Sequence, residues 1–340
     1  MGDQLNWPCR RGILQGLYDA VNRGENNQRY FSPRRLGHAN LWVSDYERAY
    51  DYYRNVIGFE HAYIQPDNQA SFVSNGNTYH DYGLIDIRGR YAKPGQKPGL
   101  NHFALELRNE VELAEGYRRA KAAGVQFTSL QDHDVAHAVY QLDPDDNSVE
   151  IYADVVADWR AARSGVVIKE KPPYVPGESS VPVKEALYPK NPEIRVVKEA
   201  LFHPRKVAHV SLVTKDFSAM LDFYIRVIGL VPFAGDASRD FVILRGSVSN
   251  GDLVLHRGQP RGETGLHHVG IEVLDEAGLA DARKALPGKG IKLDSEIDHP
   301  ARVALTIIGM DGVRAQFFVN RDWRPESLRS LDRRTALALL

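Results

Sequence analysis

The chain has 340 residues, of which 43% are apolar and 26% charged, and its formal net charge is −1. This length allows two domains with cores of their own, and the near-neutral charge offers no electrostatic surface for nucleic acid or an anionic membrane. Cys9 is the only cysteine, which excludes an internal disulfide and a cysteine-rich metal site. No segment has the pattern of a signal peptide or of a membrane span. We therefore expect a cytoplasmic protein that binds neither nucleic acid nor membranes.

The first 34 residues contain one segment with helical periodicity. Apolar residues recur there at the spacing of one helix face, which predicts an amphipathic helix over 11–21. Its apolar stripe is expected to pack on a domain or on another subunit. We expect a homo-oligomer.

From residue 35 the sequence repeats one unit of a strand, a helix and three strands. Apolar and polar residues alternate with period two at 38–43 and again at 102–107, which predicts strands. A helical pattern follows each of them, at 46–56 and at 110–123, and further strands end near residue 152. The pattern predicts a βαβββ unit that is used twice.

The pair of units returns in the second half of the chain, which is the kind of repeat that decides a fold. His209 stands in a strand like that of His38, and the same interval separates His102 from Glu150 and His268 from Gln316. We predict an α+β protein with an extension at 1–34, domains at 35–155 and 205–322, and a tail at 323–340 that contains a short amphipathic helix. The prolines between the domains disfavour regular structure, so 156–204 is interpreted as a linker that lies over one domain.

Two histidines and one glutamate fall at matching strand positions of this repeat. A single histidine in a strand is more often a core or surface residue than a metal ligand. His38, His102 and Glu150 on adjacent strands are more specific, because two imidazoles and one carboxylate form a facial triad that leaves positions of Fe(II) open. The sequence therefore predicts a metal site in the first domain.

The segment around that glutamate resembles the signature of the type I extradiol catechol dioxygenases, a family of the vicinal oxygen chelate superfamily. The residues that carry the resemblance are His133, Val139, Tyr140, Asp143, Pro144 and Glu150. Gln131 and Asp146 depart from the signature at turn positions. The resemblance covers 35–155 well and 205–322 as a degenerate copy. It implies that the paired units of each domain form an open mixed-sheet barrel, and that one domain binds Fe(II) or, occasionally, Mn(II).

The resemblance also implies an activity and the roles of single residues. The expected reaction inserts both atoms of O2 into a substituted catechol and gives a ring-opened semialdehyde. The implied residues are the ligands His38, His102 and Glu150, the acid/base catalyst His80, and three residues near substrate or O2, namely Asn40, His133 and Tyr140.

The second half departs from the pattern at its chemical positions. Gln316 replaces the glutamate, Thr306 the tyrosine and Gly251 the acid/base histidine. A neutral amide binds a divalent ion poorly, so this half is interpreted as a structural partner. The loop at 88–98 looks like an insertion, so the shape of the pocket mouth does not follow from the resemblance.

Two other functions stay open at this point. A glyoxalase-type isomerase or lyase on the same fold would need a fourth protein ligand, for which Asp86 is the candidate. A metal-free binding protein is the other alternative. His137 is interpreted as a surface or pocket-rim residue.

Overall fold

The computed structural model describes residues 29–168, 172–259 and 262–340, so the predicted helix at 11–21 lies outside the described residues. The strands are β1 Arg35–Val43, β2 His61–Gln65, β3 Ala70–Val73, β4 Tyr82–Asp86, β5 Gly99–Glu106, β6 Ser129–Asp132, β7 Ala136–Leu142, β8 Ser148–Asp154, β9 Gly165–Val166, β10 Pro204–Thr214, β11 Val231–Gly235, β12 Phe241–Arg245, β13 Leu253–Arg257, β14 Gly265–Val273, β15 Lys292–His299, β16 Arg302–Ile308 and β17 Arg314–Asn320. The α-helices are α1 Tyr46–Tyr52, α2 Glu110–Ala122, α3 Trp159–Ala162, α4 Phe217–Asp222, α5 Glu276–Ala285, α6 Pro325–Leu328 and α7 Arg333–Leu339. Segments Tyr53–Ile57 and Phe223–Ile228 are π-helical, and Pro66–Asn68, Pro287–Lys289 and Met310–Gly312 form 3-10 turns.

These strands form two mixed sheets, which confirms the α+β class and the paired units. The first sheet has the order β6-β7-β8-β5-β1-β4-β3-β2-β9, and the second has the order β11-β12-β13-β10-β14-β17-β16-β15. In each sheet the first strands of the two units pair antiparallel at the centre, as β1 does with β5 and β10 with β14. Both sheets are open, with an edge strand at each end.

The strand registers show that the two halves repeat residue by residue. Tyr140 pairs with Glu150 in the first sheet, and Thr306 pairs with Gln316 in the second. Likewise Ala39 pairs with Tyr82, and Val210 pairs with Leu253. His80 lies two residues before Tyr82, and Gly251 lies two residues before Leu253. The two residues are therefore equivalent, which confirms the sequence alignment of the halves.

The same local sequence begins and ends the first helix of each half. Asp45 accepts hydrogen bonds from the backbone amides of Glu47 and Arg48, and Asp216 caps α4 in the same way. Each helix continues as a π-helical turn and stops at a glycine with positive φ, 99° at Gly58 and 89° at Gly229, a conformation that other residues adopt at a cost.

One apolar core joins the two sheets. A single cluster of buried residues includes Leu41 and Phe103 from the first half and Tyr224 and Phe317 from the second. The Tyr224 hydroxyl also donates to Asp143, across the two halves, at 2.6 Å. The halves therefore support each other's structure.

Residues of the predicted linker make hydrogen bonds with the first half of the chain. The backbone amide of Arg195 donates to the Asn75 carbonyl, and that of Val183 donates to Glu110. Its predicted lack of regular structure is wrong at its start, which forms α3 and β9. The reason is that the prolines begin only at residue 172, so Gly165 and Val166 are free to pair with the exposed edge of β2.

No helix within the described ranges is both long enough and apolar enough to cross a membrane.

Candidate active site

The metal triad predicted from the sequence comes together at the centre of the first sheet. His38 lies on β1, His102 on β5 and Glu150 on β8, three strands that are neighbours. The register places His38, Ala104 and Glu150 in one row and Asn40 and His102 in the next, so all five side chains leave the same face. The three ligand atoms lie within 4.8 Å of one another, and all three residues are buried.

The distances within the triad fit one metal ion. Glu150 Oε2 lies 3.2 Å from His38 Nε2 and 3.0 Å from His102 Nε2. Two ligands bound at right angles, each at about 2.1 Å, would stand about 3 Å apart. Glu150 Oε1 is buried and has no hydrogen-bond partner among the described residues. The donor set is thus compact, buried and suited to a divalent cation.

The electrostatics of the site favour the metal-binding protonation states of Glu150 and His38. Burial by itself would raise the pKa of Glu150, but the charges and hydrogen bonds of His38 and His102 bring that pKa well below its usual 4.5. Burial lowers the pKa of His38, against the opposing effect of Glu150. Glu150 is therefore a carboxylate and His38 a neutral imidazole, which are the forms that bind metal ions.

Asn40 presents an amide group next to the triad. Its Nδ2 lies 3.1 Å from His102 Nε2, while its Oδ1 accepts a hydrogen bond of 2.7 Å from the Gly83 amide. Because that bond needs an acceptor, it identifies the oxygen of the amide, so the NH2 group faces the site. A Cβ at Gly83 would stand 2.5 Å from Asn40 Oδ1, so only glycine leaves room for this arrangement.

His80 lies beside the triad, two residues before the start of β4. Its ring centroid is 4.1 Å from that of His38, and its Nδ1 lies 3.2 Å from the Tyr63 hydroxyl. Its Nε2 is buried and makes no hydrogen bond in the described part of the chain. Burial, followed by the nearby His38, lowers the pKa of His80 well below 6.5. The ring is therefore neutral at neutral pH and has one nitrogen free to exchange a proton.

His133 and Tyr140 form a pair on the other side of the pocket. The Tyr140 hydroxyl and His133 Nε2 are 2.9 Å apart, and His133 Nε2 is 3.9 Å from Glu150 Oε1. Burial and the charge of Glu150 raise the pKa of Tyr140 well above 10, so its hydroxyl keeps its proton and can donate it in a hydrogen bond. All seven residues predicted for the site lie in this one region.

The triad opens into a pocket of about 90 Å³, and several of its walls were not predicted from the sequence. The additional lining residues include four polar ones, Tyr63, Gln65, Asn68 and Arg163. Arg163 donates to the Tyr63 hydroxyl at 3.4 Å and pairs with Asp134 at 2.9 Å. The alternation of side chains along β2 could have suggested that Tyr63 faces the pocket. The position of Arg163, which follows α3 in the segment interpreted as linker, had no signal in the sequence.

The loop at 88–98 contributes to this pocket through Tyr91. The loop contains turns and no strand, and the Tyr91 side chain lines the pocket although the residue is 48% exposed. A half-exposed residue that also lines a pocket lies at its mouth. The loop therefore forms part of the pocket mouth.

The matching region of the second sheet is filled by protein. His209 and His268 keep their positions, with their Nε2 atoms 3.2 Å apart. The Gln316 amide is occupied, however, because it donates to the Ala338 carbonyl at 3.0 Å and accepts from Arg302 at 3.3 Å. Leu339, at the end of the predicted C-terminal helix, is fully buried there. Helix α7 thus takes the space that is a pocket in the first half.

Two further sequence interpretations are wrong. His137 is neither at the surface nor at the pocket rim, because it is buried between Glu110, at 2.5 Å, and the ring of Tyr174. Asp86 is no fourth ligand, because its carboxylate binds Arg88 and the Tyr46 amide. In the register of β1 and β4, Asp86 is paired with Val43, which is five residues from His38 along β1.

Comparison with known proteins agrees with this geometry. Residues 35–151 match the model of the Glyoxalase/Bleomycin resistance protein/Dioxygenase superfamily. Catechol-2,3-dioxygenase of Bacillus subtilis (strain 168) is 29% identical over 196 residues, which are 57% of this chain and 64% of that protein, less than two thirds of its length.

Solved structures share the fold at low sequence identity. The 2,3-dioxygenase LapB from Pseudomonas sp. KL28 superposes with a TM-score of 0.61 at 16% identity, over 85% of this chain and 93% of that one. The Mn(II)-bound glyoxalase from Novosphingobium aromaticivorans has a TM-score of 0.59 at 15% identity, over 86% and 85% of the two chains. These structures show that the fold is shared, and the family model identifies 35–151 as a domain of the glyoxalase/bleomycin resistance protein/dioxygenase superfamily, the vicinal oxygen chelate superfamily.

Proposed function

We propose that this protein is an extradiol ring-cleaving dioxygenase that inserts both atoms of O2 into a substituted catechol, with Fe(II), or alternatively Mn(II), held by His38, His102 and Glu150. One observation carries the proposal. His80 stands beside a three-residue facial triad and has a buried nitrogen, Nε2, that no described residue occupies. A catechol dioxygenase needs both features, because it must bind a diol and also move its protons.

The bound metal supplies a positive charge that favours ionisation of the catechol, and open positions for the diol oxygens and O2. Protein residues supply the rest of the chemistry. His80 takes a phenolic proton at Nε2 and returns it later in the reaction, for which a neutral imidazole is suited. Tyr63 holds the opposite nitrogen of that ring and so orients it.

The remaining polar groups act on the substrate oxygens and on O2. The Tyr140 hydroxyl, held by His133, donates a hydrogen bond toward the diol. The Asn40 amide hydrogens face the position next to His102, where O2 would bind. The pocket volume of about 90 Å³ favours a diol with a single ring. The product expected from this chemistry is a ring-opened semialdehyde.

The isomerase or lyase alternative has less support from the structure. It needs a fourth protein ligand, and within the described ranges the only group that could hold a metal ion contains three. Asp86, the candidate for that ligand, is engaged by Arg88. That alternative also leaves the His80 and Tyr140 pairings without a role.

The test is reconstitution with Fe(II), or in parallel with Mn(II), in the absence of air, followed by catechols in air. We expect O2 uptake together with the yellow absorbance of a semialdehyde. His80→Phe should keep its metal and lose about 100-fold to 10,000-fold in turnover. Tight metal binding with no O2 uptake for any catechol would overturn the proposal and favour an isomerase or lyase. A reducing cytoplasm as the location, and a homo-oligomeric state, stay predictions.

A further inference from the structure

A second cavity, of about 320 Å³, lies where the two halves of the chain meet. Its walls come from the start of β1, from the linker and from five strands of the second sheet. None of its lining residues belongs to the active-site pocket. The cavity carries an excess of positive charge, because five lining residues are cationic and two are carboxylates. The cations are Arg35, Lys190, Lys206, Arg245 and Arg302, and the carboxylates are Asp252 and Glu272.

Part of this charge is neutralised within the protein. Arg35 is paired with Glu106 at 2.7 Å, and Lys206 with Glu272 at 3.4 Å. Asp252 accepts from the amides of Leu36 and Gly246, both at 2.6 Å. These groups are therefore satisfied and shape the wall, and the excess charge lies on the other cations.

Arg302 is a buried guanidinium without a carboxylate partner. Only 2% of the residue is exposed, and its guanidinium carbon stacks between the rings of Phe318, at 3.7 Å, and Trp323, at 3.8 Å. Its hydrogen bonds, made through Nε and Nη1, go to neutral oxygens, including Asn320 Oδ1 at 2.8 Å. In the described part of the chain Nη2 makes no hydrogen bond and no ion pair reaches this side chain. A buried cation in this state is costly unless an anion joins it.

Arg245 is the second cation without a partner. Its side chain makes no hydrogen bond and no ion pair with any residue that the structure describes, and its Nε is buried. Its guanidinium carbon lies 5.5 Å from the centre of the Phe233 ring. Two guanidinium groups that lack carboxylates thus line one cavity, which also contains the side chains of Ser247, Ser249 and Asn250.

We propose that this cavity is a binding site for a small oxyanion, a phosphate or a carboxylate compound, held by Arg245 and Arg302. Guanidinium groups match both chemistries, because their planar donors can bind two oxygens at once. Ser247 and Asn250, which also line the cavity, offer neutral hydrogen-bonding groups near the charged centre, while Ser249 donates to Asp252. The cavity volume suits a ligand larger than a single ion.

The site joins the two halves of the chain, so its ligand also stabilises the fold. Arg35 and Leu36 on the wall belong to β1, the strand of His38, while Arg245 and Arg302 belong to the second sheet. An anion bound only to the native state raises its stability with increasing concentration. This inference does not depend on the proposed dioxygenase activity.

The test is calorimetric titration of the protein with inorganic phosphate and, separately, with citrate, at an ionic strength held constant with potassium chloride. Saturable binding of either probe is expected, and the stronger one identifies the oxyanion class. Arg245→Gln should weaken binding at least about tenfold, because a charge-assisted hydrogen bond is lost. Arg118→Gln, on the exposed face of α2 and outside the cavity, is the matched control and should bind like the wild type.

Thermal unfolding gives a second measurement on the same proteins. The unfolding midpoint of the wild type and of Arg118→Gln should rise with the concentration of the better probe, and that of Arg245→Gln should not. Arg245→Gln should fold normally, since the replaced side chain makes no hydrogen bond. Absence of saturable binding by the wild type, or equal affinity in Arg245→Gln, would overturn the proposal.

Discussion

The hydroxyl of Tyr63 lies 3.2 Å from Nδ1 of His80, on a ring whose other nitrogen, Nε2, is buried with no hydrogen-bond partner in the described part of the chain. Arg163 in turn donates to the same hydroxyl. The Tyr63 oxygen has two lone pairs, so it can accept from the Arg163 guanidinium and from Nδ1–H of His80, the tautomer in which Nε2 of the neutral ring carries no proton. This chain of contacts orients the imidazole that we propose as the acid/base catalyst.

Tyr63→Phe should therefore lower turnover by about tenfold and leave the metal content unchanged, because it removes one orienting hydrogen bond and no ligand. Steady-state kinetics and metal analysis of the purified variant check this expectation. Tyr50→Phe is a matched control, since the Tyr50 hydroxyl bonds His61 at 2.6 Å outside the pocket. Equal turnover in the two variants would show that Tyr63 does not position His80.

Metal binding should depend on the first half of the chain alone. Glu150→Ala should weaken metal binding by more than about 100-fold, because a residue that binds the metal directly contributes more to the affinity than the residues that orient it. Gln316→Ala, at the equivalent position of the second sheet, should retain the full metal content. Metal analysis after dialysis distinguishes the two variants. Loss of metal from Gln316→Ala would show that the second half binds it.

Gly83 tests the role of the Asn40 amide. A methyl group at this position would stand 2.5 Å from Asn40 Oδ1 and would push the amide away from the site. Gly83→Ala should reduce turnover by at least about tenfold while the metal stays bound. Gly288→Ala is the control, because a methyl group there meets no atom within 4 Å. Wild-type turnover in Gly83→Ala would mean that the position of Asn40 does not matter.

The His137–Glu110 pair of the first half, which the linker contacts through Tyr174 and Val183, responds to pH. Burial lowers the pKa of His137, but the hydrogen bond and charge of Glu110, together with Asp132, outweigh it, so the pKa is raised above 6.5. Burial raises the pKa of Glu110, yet its bonds to His137 and to the Val183 amide bring it below 4.5.

The pair should stabilise the fold most between pH 4.5 and 6.5, the ordinary values of these two groups. The stabilisation from His137 is complete below pH 6.5 and is lost as pH rises through its raised pKa. That from Glu110 is complete above pH 4.5 and is lost as pH falls through its lowered pKa. Urea unfolding should show a deficit of about 2 kcal/mol for His137→Gln at pH 5.5 and a smaller deficit at pH 8.5. An equal deficit at both pH values would contradict the charged pairing.

Much of the fold and of the metal centre could be predicted because both follow from strand periodicity. Because side chains alternate between the two faces of a strand, sequence position decides which residues share a face. The repeated spacing was therefore enough to place His38, His102 and Glu150 together. Arg163 could not be placed, because its position depends on the packing of the segment after α3. The same holds for α7, since an apolar stripe indicates that a helix packs but not which site it fills.

The most direct test of the proposed reaction is ring cleavage under ¹⁸O2, with mass spectrometry of the ring-opened product. If the Fe(II)-reconstituted protein is an extradiol dioxygenase, both oxygen atoms added to the catechol come from O2, and the product carries two labelled atoms before any exchange with water. A product that carries one labelled atom or none under the same conditions, with exchange measured in parallel, would contradict the proposed function.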